Sequence, residues 1–150
     1  MIYVRKILYA TDFSPYSNLA YFHAVALAEQ HGADLAIAYV HTPGATALET
    51  VTADADRDYW RGQLEQLRPV NPRIGVHHVF LSGDPAEELL RYAAAESVDL
   101  IVLGTHGRTG LERLLMGSVA EKVFRGAACS VMVVKMPKGS PTGGRASPGP

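Results

Sequence analysis

Short apolar runs alternate along most of the chain with longer stretches in which apolar residues recur every three or four positions. The runs are residues 4–10, 35–40, 74–81, 100–103 and 130–135. The fourth of them, Leu100-Ile101-Val102-Leu103, is apolar without a break. A continuous run of this kind fits a strand covered on both faces, as in a parallel sheet.

The stretches between the runs read as helices with start and stop signals. Ser14 can cap the first, Pro15 fits its first turn, and Gly32 stops it. Leu19, Phe22, Ala26 and Leu27 then recur at helical spacing. The second helix would carry Leu48, Val51, Ala55, Trp60, Leu64 and Leu67 on one face and end before Pro69 and Pro72. The third starts at Gly83-Asp84-Pro85, where Asp84 with Glu87 three residues on forms a capping box. Leu89, Leu90, Ala93 and Ala94 would be its apolar face. The fourth runs from near Ser118 to near Gly126. The order β-α-β-α-β-α-β-α-β predicts an α/β fold, a Rossmann-like open five-stranded parallel sheet with helices on both faces.

Composition narrows the picture. A chain of 150 residues, 47% of them hydrophobic, suits one domain with a substantial core. A net charge of -1 argues against a general nucleic-acid binder. The single cysteine, Cys129, excludes an intramolecular disulfide and reads as a small buried residue. No stretch approaches a membrane span or a signal-peptide core, so the expectation is a cytoplasmic protein. From residue 137 the composition turns abruptly to Pro, Gly and Ser. Residues 1–136 are therefore expected to form the domain and 137–150 a disordered tail.

The candidate chemistry sits after the fourth run. Gly104-Thr105-His106-Gly107 is followed, after nine residues, by Gly117-Ser118. Ligands of open α/β sheets sit outside the carboxyl ends of the strands, where the strand order reverses. Glycines there let backbone amides approach an anion, and a helix start at Ser118 adds its dipole and exposed amides. The motif is neither a standard P-loop nor a dinucleotide fingerprint.

This spacing resembles the signature of the universal stress protein family, in its ATP-binding branch. The opening ILYATDFSPYS and the closing CSVMVVK share the resemblance, which spans residues 2–135. It implies the strand order 3-2-1-4-5. Carried over by position, Ala10, Thr11 and Asp12 would line the adenosine side, Val40 would offer backbone contacts to the adenine, and Leu103 would pack beside the base. Gly104, Gly107, Gly117, Ser118 and Val119 would hold ribose and phosphates. Asp12 would meet the nucleoside or a phosphate-bound metal, and Arg108 is a candidate to offset phosphate charge. The implied cofactor is ATP, with or without Mg2+. The implied assembly is a homodimer through the apolar fifth strand, Val131 to Val134.

Each residue also has a structural reading. The glycines can make a tight turn, Asp12 can bond its own turn, and Ser118 with Glu121 can be a capping box. His106 is expected to face solvent, and His77 and His78 to face opposite sides of a strand. The leading function is an ATP-binding stress-response regulator or sensor, not a dedicated enzyme. The alternatives are a slow ATPase and an interaction module that binds another adenine nucleotide.

Overall fold

The computed structural model describes residues 3–42, 47–106 and 116–137, with the backbone alone for 47–53. Five strands, β1 (Lys6–Ala10), β2 (Asp34–His41), β3 (Val76–Ser82), β4 (Leu100–Gly104) and β5 (Ser130–Val134), form one parallel sheet in the order β3-β2-β1-β4-β5. Four helices, α1 (Pro15–His31), α2 (Ala47–Glu65), α3 (Pro85–Ala95) and α4 (Ser118–Gly126), connect them. Strand order reverses between β1 and β4, which puts the crevice at their carboxyl ends.

Alternation along the strands divides the core into two layers. Ile7, Tyr9, Leu35, Ile37, Tyr39, Leu100 and Val102 face α1 and α2. Leu8, Ala38, Ile101 and Leu103 face α3 and α4, with half-buried Ala10, Ala36 and Val40 beside them. On β1 and β2 the first layer is built from large side chains, and the second is largely alanine.

The cap signals hold for two helices. The Ser14 hydroxyl accepts from the Ser17 amide at 3.2 Å, and the Asp84 carboxylate accepts from the Glu87 amide at 3.0 Å. Gly32 closes α1 in the left-handed region at φ 61. The expected faces of α1 and α2 need correction. Leu19 and Leu27 are half-buried against the first layer as expected, but the side of α1 closest to the sheet is Ser17, Ala20, Ala24 and Ala28, whereas Phe22 is 68% exposed and Ala26 lies in solvent. Large side chains on the sheet are matched by small ones on the helix, so α1 sits close to β4. On α2, Leu64 is buried and Trp60 half-buried, but Ala55 is exposed. Leu48 and Val51 lie outside the described side chains. Cys129 is half-buried at the edge of the second layer, and burial pushes its thiol up. The expected tail lies, from residue 138 on, outside the described residues.

Tyr9 ties α1 to the sheet. Its ring is fully buried, and its hydroxyl donates to the Ser17 carbonyl at 2.5 Å. Burial pushes its pKa from 10.0 up to about 12, against a partial lowering by its hydrogen bonds to Thr11 and Ser17. The folded pKa lies above the unfolded one, so this contribution is complete below pH 10 and is lost as pH rises towards about 12. Across that window the loss is about 1.4 kcal/mol per pH unit. Tyr9→Phe should cost about 1 kcal/mol at neutral pH. It should also flatten the alkaline fall in stability without abolishing it, because burial raises Tyr21 and Tyr92 too. Denaturant melts from pH 8 to 12 check this, and an unchanged alkaline slope in the variant would refute it.

Candidate functional site

β1 ends at Ala10, opposite Ala38, while β2 runs on to His41. The Ala38 carbonyl faces β1 and accepts from the Thr11 amide at 2.9 Å. Backbone groups alternate sides along a strand, so Val40, two residues on, turns its N–H and C=O the same way. There β1 has already turned off, so these groups face the crevice.

The turn that carries β1 away is tightly bonded. Asp12 Oδ1 accepts from the Ser14 amide at 2.9 Å, and Thr11 Oγ1 accepts from the Phe13 amide at 3.0 Å. Thr11, Ser14 and Ser17 are all buried, with Thr11 Oγ1 and Ser17 Oγ 3.3 Å apart. Asp12 therefore does bond its own turn, and it lines the crevice as well.

Across the crevice, Thr105 is buried and pinned to β5. Its amide and its hydroxyl both donate to the Val134 carbonyl, at 2.9 and 2.8 Å. The Gly117 amide donates to the Thr105 carbonyl at 2.5 Å, which closes the loop between them at its neck. Gly117, not Ser118, is the N-cap of α4, and its carbonyl accepts from the Glu121 amide at 3.0 Å. The expected capping box of Ser118 and Glu121 is thus corrected: Ser118 is the first helical residue. A glycine cap has no side chain to offer, so no cap bond closes this helix as Ser14 and Asp84 close α1 and α3. The amides of Ser118, Val119 and Ala120 have no carbonyl within the helix to pair with.

These parts surround one cavity of about 280 Å³. Ala10, Thr11, Asp12, Val40, Leu103, Gly104, Gly117, Ser118 and Val119, all expected from the sequence, line it together. Gly107 and Arg108 lie outside the described residues. Ala38, Pro85, Leu89, Ala120, Ser17, Thr105 and His106 also line the cavity and went unanticipated. The first four sit inside helices or strands, where small and apolar residues carry no local sign of a site. His106 does not simply face solvent: its ring lies 5.3 Å from that of Tyr16. His77 is exposed, whereas His78 Nε2 lies 2.7 Å from the Leu67 carbonyl, as opposite faces require. Among the described residues no group of three or more His, Cys, Asp or Glu could hold a metal, and no helix is long and apolar enough to cross a membrane.

The floor is apolar, from Ala10, Ala38, Val40, Leu89 and Leu103. One rim carries Asp12, and the other carries the amides and hydroxyl at the start of α4. Such a crevice suits a ligand with a flat apolar part and an anionic end. Fold and site together define an open α/β protein with a crevice at the topological switch point. The universal stress protein family model matches residues 4–135, and the chain belongs to that family. It is 36% identical over 143 residues to Universal stress protein MJ0531 of Methanocaldococcus jannaschii, covering 89% of this chain and 84% of that one. Universal stress protein YxiE of Bacillus subtilis is 30% identical over 146 residues, covering 87% and 99%. Among solved structures, UspA from Lactobacillus plantarum superposes with TM-score 0.74 at 26% identity, covering 89% of this chain and 99% of that one. A universal stress protein solved in complex with cAMP shares the fold at TM-score 0.61 and 23% identity, covering 89% and 98%.

Gly104 carries a structural duty that its place in the motif conceals. A Cβ there would lie 2.8 Å from both the carbonyl carbon and the oxygen of Tyr16. Those are backbone atoms of α1 and cannot swing aside. Gly104→Ala should therefore destabilise the protein by about 1–3 kcal/mol. Gly62, on α2, has nothing within 4 Å of such a Cβ, so Gly62→Ala should stabilise slightly. Thermal melts of the two variants give the comparison; equal midpoints would remove the close-approach argument.

Proposed function

We propose that the chain holds an adenine nucleotide, ATP in the first instance, in this crevice and acts in the cytoplasm as a nucleotide-dependent regulator or sensor of stress. The observation that carries the reading is the start of α4. It is the helix whose N-cap is a glycine, and its first amides open on an apolar cavity at the switch point. The residues fit the nucleotide as follows. The backbone of Val40 would meet the adenine edge, with Ala10, Ala38 and Leu103 against its faces. Asp12 would hold the nucleoside or a phosphate-bound Mg2+. The amides of Ser118, Val119 and Ala120, with the Ser118 hydroxyl, would take phosphate oxygens, offset by the helix dipole. Gly107 and Arg108 join this set on their place in the motif. Gly117 would act as the cap that leaves those amides uncovered, since its own amide is held by Thr105. Bound ATP supplies the polyphosphate charge, and its presence or absence is the signal. A regulator rather than a catalyst is favoured by Asp12 and His106. They are the ionisable side chains among the described lining residues, and each is engaged within the protein, Asp12 with Ser14 and His106 with Tyr16.

Gly117→Asp tests this reading. The cap has φ -68 and ψ 162, which aspartate adopts readily. Its carboxylate would cap α4 and occupy the amides that phosphate needs. The melting temperature should hold or rise, while calorimetric affinity for ATP should fall at least about tenfold. Unchanged affinity in a folded variant would overturn the proposal. Mass spectrometry of the purified protein, native and then denatured, would identify any co-purifying nucleotide, including a cyclic or shorter one.

The same reading includes a homodimer through β5. That strand ends the sheet, and its Val131, Met132 and Val133 are only half-buried in the single chain. An apolar edge of this kind invites pairing with a second copy. Sedimentation equilibrium at micromolar concentration should give two chains per particle, and a clean monomer would remove this part of the proposal.

A further inference from the structure

Two non-glycine residues among the described ones have positive φ, Phe13 at 63 and Ser97 at 53. For a bulky aromatic residue this conformation is an outlier and persists only where its surroundings enforce it. Phe13 follows Asp12 directly, so the strain sits on the rim of the cavity.

What enforces it lies on both sides of the sheet's end. On the cavity side, Thr11 Oγ1 accepts the Phe13 amide and Asp12 Oδ1 accepts the Ser14 amide. On the far side, the Phe13 ring stacks on Trp60 of α2, with centroids 5.2 Å apart and planes at 26°. It also meets Tyr39 of β2 at 5.3 Å. Tyr39 and Trp60 stack in turn at 5.5 Å, and exposed Tyr59 lies edge-on to Trp60 at 5.0 Å. Trp60 itself does not line the cavity. A chain of rings thus runs from the residue beside Asp12 to the outer surface of α2.

We propose that Phe13 is a positioning residue that couples the cavity to α2. The aromatic stack holds the β1–α1 turn in its strained form, and that form sets Asp12 at the rim. A ligand that engages Asp12 pulls on the carboxylate that also accepts the Ser14 amide through Oδ1, shifts Phe13, and is felt at Trp60. Reciprocally, loosening the stack from the α2 side weakens ligand binding. The ligand half of this coupling rests on the nucleotide reading above; the mechanical half does not.

A cycle of variants separates the two. Trp60→Ala removes the ring stacked on Phe13 and leaves the Tyr39 ring against it, and Phe13→Gly supplies a residue that adopts positive φ without strain. Amide hydrogen exchange in the ligand-free protein should speed up at Ser14 and Ser17 in Trp60→Ala. It should return close to wild type in Phe13→Gly/Trp60→Ala. ATP affinity should follow the same order: about tenfold weaker in the single variant and restored in the double one. In wild type, ATP should change the emission of Trp60, the chain's sole tryptophan. Phe13→Gly should bind ATP yet lose that change. If Trp60→Ala fails to fold, Trp60→Leu keeps an apolar side chain that cannot stack and should give the same order. Exchange at Ser14 and Ser17 that ignores Trp60, or is not rescued by Phe13→Gly, overturns the coupling. If no variant nor wild type binds ATP, the nucleotide reading fails, while the exchange data still decide the coupling.

Discussion

Unequal side-chain size on the two faces of β1 and β2 is the constraint from which the rest follows. Towards α1 and α2 the strands present Tyr9, Ile37 and Tyr39; towards α3 and α4, Ala10, Ala36 and Ala38. The large side fills its layer and draws in an α1 lined with Ser17 and alanines. The small side leaves the cavity unfilled at the strand ends. The contact that brings α1 onto β4 leaves no room for a Cβ at Gly104. Packing on one face and vacancy on the other are therefore parts of one arrangement.

The helix ends add the electrostatics. At the carboxyl edge of the sheet, α1 and α3 satisfy an amide with their own Ser14 and Asp84, and α4 begins with a glycine. Thr105 anchors that start through its bonds to Val134 and Gly117. An uncapped helix start normally costs stability. Here the exposed amides face an apolar crevice whose opposite rim carries Asp12, and an anionic ligand with an apolar body would satisfy both.

Much of this was legible in the sequence. Short apolar runs identified the strands, and the unbroken one at residues 100–103 pointed to a parallel sheet covered on both faces. Cap residues marked α1 and α3. The face of α1 was legible only in part, through Leu19 and Leu27, and the outer part of α2 was not. The stripe of α1 that meets the sheet is serine and alanine, and its most conspicuous apolar residue, Phe22, is in solvent. At the site, the glycine spacing and its family resemblance led to nine lining residues. Ala38, Leu89 and Ala120 stayed hidden because a small or apolar residue in a helix or strand looks the same beside a cavity as in a core. The cap of α4 was misplaced by one residue, since the bond from Gly117 to Thr105 is a long-range feature. The strained backbone of Phe13 had no local signature, and its ring packs on one from α2 forty-seven positions away.

In the proposed function an anionic nucleotide docks on the start of α4. Backbone amide resonances of the labelled protein, followed during titration with ATP, test it most directly. The largest saturable shifts are expected at Ser118, Val119 and Ala120, with smaller ones at Val40 and Asp12. Shifts confined to the opposite end of the sheet, around Lys6, Asp34 and His77, or none at saturating ATP, would contradict it.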